Sequence, residues 1–360
     1  MDGEDRGMKK ILYVCCNFTW GGVEQYILNV LDYIDRSLYQ IDVLLPDRVH
    51  DREVELEKRN IKVKKYNCTS YKEKILNFYK ILKDNQYDIV HLFTGNEAAL
   101  LCMIAKKAGN KKIIVHSHAS KSGDENIKFL HVLMKKIYFY LAKVIYRKYA
   151  LCLACSETAG EFMFGKHNEN VRVLGNGIDL ERFHNGNNLS DAMSFVINAR
   201  FSPQKNPYFV IDIFSELIKK KSTSRLEWVG TGEMEKEIKD YAKNLQIEKY
   251  INFLGTVNDV EHVLRRNRFF LLPSIHEGLP IVLIEAQAAG LKCFISDNIT
   301  EQIDCGGCFK ISLDLTAEEW AEIILEEIKK SPVAKIKKDK IEKYSIKYTI
   351  KELENIYEEI

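Results

Sequence analysis

The stretch HEGLPIVLIEAQAAG at residues 276–290 combines two glutamates with the start of a helix pattern. It follows a short apolar run, Phe269 to Leu272, that is typical of a buried strand. Glu277 and Glu285 are separated by about two turns of helix, so both carboxylates can face one crevice beyond the strand. Free N–H groups at a helix start beside Gly278 favour a bound anion. The stretch therefore predicts a ligand with hydroxyls and phosphate, such as a nucleotide sugar.

A purely structural role for the two glutamates is the alternative. Glutamate at a helix start commonly interacts with the helix dipole, and a second one two turns later is commonly solvated. Here the helix pattern from Ile281 to Gly290 is otherwise apolar or small, and a lone glutamate is costly in such a helix unless it binds a partner. The pattern therefore favours binding.

Length and charge restrict the class of protein. The chain has 360 residues, which is enough for two domains with separate cores. A net charge of +2 does not indicate general nucleic-acid binding, so no nucleic-acid partner is expected. Neither a secretory signal nor an apolar run of bilayer-spanning length is visible, which predicts a cytoplasmic protein. Residues 1–7 resemble an added extension, because Met8 has the context of a natural start.

Nine cysteines raise the question of a metal site. Cys152 and Cys155, and later Cys305 and Cys308, form two C-x-x-C pairs of the kind that zinc sites use. However, residues 151–155 have a buried-strand pattern, whose alternation directs the first two cysteines to opposite faces. The second pair lies about 150 residues away in a glycine-rich turn. The sequence therefore predicts no metal site.

Strand patterns alternate with helix patterns along the whole chain, as in parallel sheets that are covered on both faces. The strand patterns lie at residues 11–15, 41–45, 61–63, 88–93, 112–115 and 151–155, and then at 194–199, 225–229, 250–254, 268–272 and 292–296. The polar segment 185–191 is interpreted as a linker between the two series. The final helix pattern, residues 346–359, is amphipathic. We therefore expect an α/β protein of two domains.

Glycines occur at two strand-to-helix turns. Gly21 and Gly22 follow the first strand, where glycine lets the backbone approach a ligand and the helix start favours phosphate. An ordinary tight turn is an equal alternative. The pattern is not G-x-G-x-x-G, so a nicotinamide cofactor is not expected. Gly230 and Gly232 either shape their loop or line a nucleotide pocket.

Two histidines and two cations follow other strands. His116 and His118 share one face of a strand end, where histidine can donate a hydrogen bond to a sugar hydroxyl or to developing charge. A buried structural histidine is the alternative. Arg200 and Lys205 flank a proline-containing loop and suit a diphosphate, although single surface cations are usually solvated.

The acidic stretch resembles the signature of the retaining glycosyltransferases of family 4. Other pieces occur in the order of that family, namely Gly21-Gly22-Val23-Glu24, His116-Ser117-His118, Asn176-Gly177-Ile178-Asp179, Arg200, Lys205-Asn206 and Gly230-Thr231-Gly232. The resemblance covers almost the whole chain. It implies the GT-B fold, in which two Rossmann-like domains face each other across a cleft. On this basis the acceptor-side domain is residues 1–180 joined by the C-terminal helix within 340–360, and the donor domain is residues 190–335.

The resemblance also implies an activity, that of a metal-independent, retaining hexosyltransferase with no cofactor beyond its nucleotide-sugar substrate. By this resemblance, Glu277 is expected to hold hydroxyls of the transferred sugar, Glu285 to hold the ribose, and His118 to lie by the reaction centre. The implied catalytic set is Glu277, His118, Arg200 and Lys205, and the implied substrate-binding set is Gly21, Gly22, His116, Gly230, Thr256, Gly278, Leu279, Pro280 and Glu285.

The substrates follow from the same resemblance. A UDP-sugar is favoured over GDP-mannose as donor, and the acceptor is expected to be a cell-surface glycan, such as capsule, or its lipid carrier. Two alternatives are a GT-B epimerase, which would turn over donor without acceptor, and a non-catalytic sugar-nucleotide-binding subunit. The intact acidic pair and cations disfavour the second.

A basic amphipathic segment, residues 128–149, contains lysines and arginine among aromatic and aliphatic residues. Such a helix can lie on anionic lipid, which predicts peripheral contact with the inner face of the cytoplasmic membrane. The alternative is a domain helix that buries its apolar stripe while its lysines extend to solvent.

Overall fold

A computed structural model gives the fold of the chain. The structure describes residues 7–19, 21–95, 97–118, 129–166, 168–183, 193–277 and 279–360, with side chains omitted for residues 129–136. Two compact units are present. The first comprises residues up to Gly177 together with Ile346–Ile360, and the second comprises Ile178–Ser345.

The first unit is built on a parallel sheet. Its strands are β1 (Lys9–Cys15), β2 (Tyr39–Pro46), β3 (Lys62–Tyr66), β4 (Ile89–Phe93), β5 (Lys112–Ser117), β6 (Leu151–Ala154) and β7 (Val171–Val173), in the order β3-β2-β1-β4-β5-β6-β7. Its helices are α1 (Gly22–Tyr33), α2 (Glu53–Lys58), α3 (Tyr71–Asn85), α4 (Ala98–Lys107), α5 (Phe129–Tyr149), α6 (Glu157–Phe164) and the C-terminal α14 (Ile346–Glu359). The right-handed strand-helix-strand connections place helices on both faces of such a sheet.

Both faces of this first sheet are buried. Along β1, Leu12 and Val14 contribute to one hydrophobic cluster, while Ile11 and Tyr13 contribute to another. Alternation along the strand sends successive side chains to opposite faces, so each cluster covers one face. The second cluster includes Leu353 of α14, which makes the C-terminal helix part of the first unit's core.

The second unit has its own parallel sheet and core. Its strands are β8 (Ser194–Asn198), β9 (Arg225–Val229), β10 (Ile251–Gly255), β11 (Phe269–Leu272), β12 (Lys292–Ser296) and β13 (Cys308–Ile311), in the order β10-β9-β8-β11-β12-β13. Its helices are α7 (Leu180–Phe183), α8 (Pro207–Lys220), α9 (Glu235–Asn244), α10 (Val260–Arg265), α11 (Ile281–Ala288), α12 (Ala317–Lys330) and α13 (Lys338–Ile341).

The order of strands reverses beside the first strand of each unit. In the first sheet β2 and β4 flank β1, and in the second sheet β9 and β11 flank β8. Helices that leave such neighbours pass to opposite faces, which opens a crevice at the carboxyl ends of the strands. Ligands of open parallel sheets bind at this switch point.

The α/β prediction is confirmed, although two strands were not predicted. The strands β7 and β13 are absent from the predicted series, since Val171–Val173 and Cys308–Ile311 are short and carry polar residues. The helix of the acidic stretch begins at Ile281, as its pattern predicts, with Pro280 as the N-cap, and Gly278 itself lies outside the described residues. The predicted linker 185–191 also lies outside them. None of the helices in the described ranges has the length and apolar content needed to cross a bilayer.

Candidate functional site

An ion pair lies at the switch point of the second unit. The ammonium of Lys205, in the loop after β8, is 2.5 Å from a carboxylate oxygen of Glu277, in the loop after β11. Their side chains are only 15% and 6% exposed. The two loops therefore bring a cation and an anion, predicted separately from the sequence, to one point at the centre of the sheet edge.

Gln204 fixes the two loops against each other. Its side-chain amide nitrogen donates to the backbone carbonyl oxygen of His276 at 2.9 Å, and its backbone carbonyl oxygen accepts the N–H of Ile275 at 2.9 Å. The same amide nitrogen lies 3.4 Å from the second carboxylate oxygen of Glu277. Both oxygens of this carboxylate are thus oriented by the loop that carries Lys205. The sequence analysis assigned no role to Gln204.

Gly230 and Gly232 are required by close backbone packing. Gly230 has a φ of +127°, and a Cβ atom there would lie 2.3 Å from the carbonyl oxygen of Ala199. A Cβ on Gly232 would lie 2.5 Å from the carbonyl oxygen of Phe201. These glycines hold the turn after β9 against the residues around Arg200. Of the two interpretations left open, loop shaping has a direct structural basis.

The remaining residues predicted in this unit differ in how deeply they are buried. Arg200 is exposed, and its guanidinium makes no ion pair with the residues that the structure describes. Pro280 is buried at the N-cap of α11, Leu279 is partly buried, and Thr256 is exposed after β10. An exposed guanidinium and a fixed ammonium on the same loop are groups that can bind a diphosphate.

Glu285 lies on α11 in a charged cluster with residues of α7 and α10. Burial raises the pKa of Glu285, the Arg182 guanidinium opposes this rise and the Glu261 carboxylate adds to it, so that the pKa is about 7. The Arg182 guanidinium instead forms its hydrogen bonds with Glu261, at 2.7 and 3.2 Å. Arg182 and Glu261 were missed from the sequence, because spacing alone does not bring α7, α10 and α11 together.

The glycines after β1 already have a carboxylate beside them. Glu24, in the first turn of α1, is buried, and a Cβ on Gly21 would lie 2.5 Å from its carboxylate. A Cβ on Gly22 would meet no atom within 4 Å. A carboxylate at this place satisfies the positive end of α1. A diphosphate at Gly21 and Gly22, as predicted, therefore requires Glu24 to move.

His116 and His118 lie side by side at the end of β5, as the alternation predicts, with ring centres 4.2 Å apart. Burial lowers the pKa of His118 to about 3, although Asn176 opposes the shift, and it lowers the pKa of His116 well below the usual value. Both nitrogens of His118 are buried without a hydrogen-bond partner of standard geometry among the described residues. At neutral pH these rings are therefore uncharged and act through hydrogen bonds.

His116 ends a buried chain of hydrogen bonds that reaches α14. The hydroxyl groups of Tyr13 and Tyr357 are 2.7 Å apart, the Tyr357 hydroxyl is 2.8 Å from His91 Nδ1, and His91 Nε2 is 3.3 Å from His116 Nδ1. Within the described residues, Tyr13 has no other acceptor for its hydroxyl hydrogen, which favours donation from Tyr13 towards His116.

This direction fixes the tautomers of both histidines. His91 carries its proton on Nε2, and His116 then carries its proton on the Nε2 atom, which is buried and unpaired among the described residues. His116 Nε2–H can thus donate a hydrogen bond to a ligand oxygen or a water molecule. The sequence analysis did not single out His91. The one feature that could have indicated it is a histidine within the otherwise apolar run of β4.

The cysteines are all free in the described chain. Cys152 and Cys155 are buried in the first unit, and Cys305 is buried in the second. No group of three or more His, Cys, Asp and Glu side chains within the described ranges is arranged to hold a metal ion. The two C-x-x-C pairs thus belong to different units.

Comparison with known proteins assigns the family. The model for group 1 glycosyl transferases matches residues 179–304, and the model for glycosyltransferase family 4 matches residues 20–182. EpsF of Bacillus subtilis strain 168, a protein named as a glycosyltransferase, is 31% identical over 339 residues, covering 88% of this chain and 87% of EpsF. The chain belongs to the group 1 and family 4 glycosyltransferases. Its two matched regions correspond to the two units.

Two further similarities extend this assignment. An Escherichia coli enzyme named UDP-Gal:alpha-D-GlcNAc-diphosphoundecaprenol alpha-1,3-galactosyltransferase is 27% identical over 237 residues, covering 62% of this chain and 61% of the enzyme. The structure of Anabaena HepE in complex with UDP superposes with a TM-score of 0.81 at 17% identity, covering 98% of this chain and all of HepE. The fold of this glycosyltransferase is therefore GT-B.

Proposed function

We propose that this glycosyltransferase moves a hexose from a UDP-sugar to a hydroxyl group of a lipid-linked surface glycan, with retention of configuration. The observation that carries the proposal is the Lys205–Glu277 pair, almost buried at the switch point of the second unit. The donor and acceptor classes are supported by the relatives, since the Escherichia coli enzyme has both a UDP-sugar and a diphosphoundecaprenol acceptor in its name.

Each part of the donor has a chemically suitable group in this proposal. Lys205 and Arg200 bind the diphosphate, one as a fixed point charge and the other as a planar donor of several hydrogen bonds. Glu277 accepts hydrogen bonds from hydroxyls of the hexose. Glu285 accepts hydrogen bonds from the ribose. In the first unit, His118 can donate a hydrogen bond to a sugar hydroxyl as a neutral ring, since its low pKa leaves it uncharged.

The transfer step forms a bond between the acceptor hydroxyl oxygen and the anomeric carbon. The bond from that carbon to the β-phosphate oxygen breaks, and its electron pair stays on the departing diphosphate. In the proposed mechanism, the acceptor's proton passes to the same phosphate on the same face of the sugar, which retains the configuration. Lys205 stabilises the charge that grows on the leaving group. No protein nucleophile is required, because the acceptor hydroxyl attacks the anomeric carbon directly. No metal ion is required, because Lys205 and Arg200 neutralise charge on the diphosphate.

A donor panel tests the proposal. We expect a UDP-hexose to raise the melting temperature, with GDP- and ADP-sugars giving little change, because ligands stabilise the state that they bind. Turnover with a diphosphate-linked acceptor is expected to persist in EDTA within about twofold, since the leaving group is met by Lys205 and Arg200. NMR of the product gives the anomeric configuration.

Three outcomes of the panel would contradict the proposal. An inverted product would exclude retention. Donor turnover without acceptor would indicate the epimerase alternative. Binding of the donor without any turnover would indicate a binding subunit.

The outer face of α5 supports contact with a membrane. Ile137, Tyr140, Leu141 and Val144 are 51–70% exposed and recur at helical spacing along one stripe, with exposed Lys148 continuing it. Ala142 and Tyr146, on the opposite side, are buried in the first unit. The helix thus buries one face, as the structural alternative requires, and still leaves an apolar stripe with cations. We propose an anionic lipid surface as the occupant.

Sedimentation with vesicles tests the membrane contact. We expect the unaltered protein to bind vesicles containing anionic lipid, and Tyr140→Glu/Leu141→Glu to lose at least tenfold in affinity, because two charges replace buried apolar area. Val54→Glu, at an exposed apolar position of α2, is the matched control and should bind normally. Equal binding of both variants would exclude α5 as the contact.

A further inference from the structure

A cavity of about 270 Å³ opens in the first unit, away from His116 and His118. It lies where β1, β2 and β3 end, beside the starts of α3 and α4. The side chains that define it are those of Cys16, Arg48, Tyr66, Tyr71, Lys74 and Glu97. We refer to it as the β1–β3 pocket. Its volume suits one sugar ring or a phosphorylated fragment, and the carboxyl ends of parallel strands are where such folds bind ligands.

The charges of the β1–β3 pocket favour an anion. Lys74 and Glu97 form a close ion pair in its wall, with the Lys74 side chain 10% exposed. Arg48 is exposed, and one guanidinium nitrogen donates to the Cys16 carbonyl oxygen at 2.8 Å. Its other nitrogens make no hydrogen bond with the residues that the structure describes. Two cations and one carboxylate leave a net positive charge.

Helix α3 adds to this positive charge. It is 15 residues long and begins at the pocket, where the Ser70 hydroxyl caps it by accepting the N–H of Glu73. The positive end of the helix dipole therefore faces the space that Arg48 borders. Arg48 and α3, which carries Lys74, come from separate segments, so two independent features favour negative charge at one place.

Two tyrosine rings add an aromatic surface to the pocket. The Tyr66 ring is buried beneath Lys74, whose ammonium lies 5.6 Å from the ring centre. Tyr71 stands at the first position of α3 with 67% of its surface exposed. An exposed ring with an apolar face and a hydroxyl suits one face of a sugar. The pocket thus combines groups for a sugar ring with groups for an anion.

Helix α5 packs against α4, whose N-cap residue Glu97 lines the β1–β3 pocket. Tyr138, the neighbour of Ile137 on α5, has a pKa raised by burial and further by the nearby Tyr71 and Glu97. Tyr138 is itself 38% exposed. An anionic sugar in the pocket would therefore have an apolar surface next to it.

We infer that the β1–β3 pocket binds a glycosyl diphosphate, the charged head of an isoprenoid-linked acceptor. The diphosphate meets Arg48 and the start of α3, the sugar ring packs on Tyr71, and the Lys74–Glu97 pair offers both a donor and an acceptor to its hydroxyls. The isoprenoid continues along the stripe of α5. This inference rests on the proposed function and names the residues that recognise its acceptor.

Calorimetry with a short-chain acceptor tests the inference. The probe is N-acetylglucosamine joined through a diphosphate to a ten-carbon isoprenoid, and a decyl glycoside of the same sugar is the neutral comparison. We expect Arg48→Ala to weaken binding of the diphosphate at least tenfold and binding of the glycoside less than twofold. Tyr71→Ala should weaken both. Lys72→Ala removes an exposed cation of the same helix turn that does not line the pocket, and it should change neither.

Binding of UDP-hexose separates failure of the inference from failure of the proposed function. Every variant should bind the donor normally, because none of the altered residues lies in the second unit. Normal binding of the diphosphate by Arg48→Ala, with donor binding intact, would overturn the pocket alone. Absence of measurable diphosphate binding by the unaltered protein would overturn it as well. A chain that binds no UDP-hexose would instead contradict the proposed function.

Discussion

Replacing Lys205 with alanine is expected to lower sugar transfer roughly 100-fold, the scale found when one group that stabilises transition-state charge is removed. Lys205 is held by Glu277 and by the loop after β8, so its ammonium is in place before the reaction begins. Negative charge grows on the diphosphate as its bond to the sugar breaks. The loss should therefore appear mainly in kcat rather than in KM. Initial rates at varied UDP-hexose concentration measure both.

Stability needs a separate measurement, because the two partners are almost buried. Lys205→Ala leaves the Glu277 carboxylate without its cation, which destabilises a protein by about 3 kcal/mol when the pair is well buried. The variant must therefore be assayed below its own melting temperature. Glu277→Ala should also lower transfer at least tenfold, through loss of contact with the hexose.

Lys239→Ala is the matched control for this experiment. It breaks the more exposed Lys239–Glu235 pair on α9, 2.7 Å long, in the same unit. Such pairs contribute less than about 1 kcal/mol, so neither stability nor rate should change appreciably. Near-normal transfer by folded Lys205→Ala would remove this lysine from the reaction.

The sequence predicted what depends on local pattern. Buried strands appear as apolar runs, and the residues that follow them, such as Lys205 and Glu277, must gather at one sheet edge because the strands are parallel. The amphipathic pattern of residues 346–359 matches the observed α14. The edge strands β7 and β13 were not predicted, because a half-exposed strand of three or four residues gives a hydrophobic pattern too short to recognise.

Contacts between distant segments could not be predicted. The tyrosine-histidine chain joins β1, β4, β5 and α14, whose residues are up to 344 positions apart. The β1–β3 pocket likewise depends on three strand ends and two helix starts. The close approach of the Glu24 carboxylate to Gly21 is local, yet a glycine beside a helix start gives the same pattern whether it approaches a phosphate or a carboxylate. Only the three-dimensional structure shows which of the two groups the glycine approaches.

Binding of UDP-hexose is expected to depend on pH through Glu285. In the free protein burial raises the pKa of Glu285 to about 7, whereas ribose hydroxyls would donate to its charged form. Below this pKa the site must first lose a proton, so affinity should fall up to about tenfold from pH 8 to pH 6. The diphosphate of a sugar nucleotide has no proton to gain in this range, so the donor itself does not titrate. Calorimetry across this range, in buffers of different ionisation enthalpy, should also detect proton release on binding.

Glu285→Gln gives the opposing effects that separate a binding role from a structural one. A carboxyl pKa that is higher in the folded state lowers stability as pH rises from about 4.5 to 7, and the full loss is present above pH 7. The glutamine variant avoids that loss, so without ligand at pH 8 it should be more stable, by about 2 kcal/mol. Yet it should bind UDP-hexose more weakly and without pH dependence between 6 and 8. Glu326→Gln, on the exposed face of α12, should behave as the unaltered chain in both respects. A glutamine variant that gains stability and keeps full affinity would show that Glu285 does not hold the nucleotide.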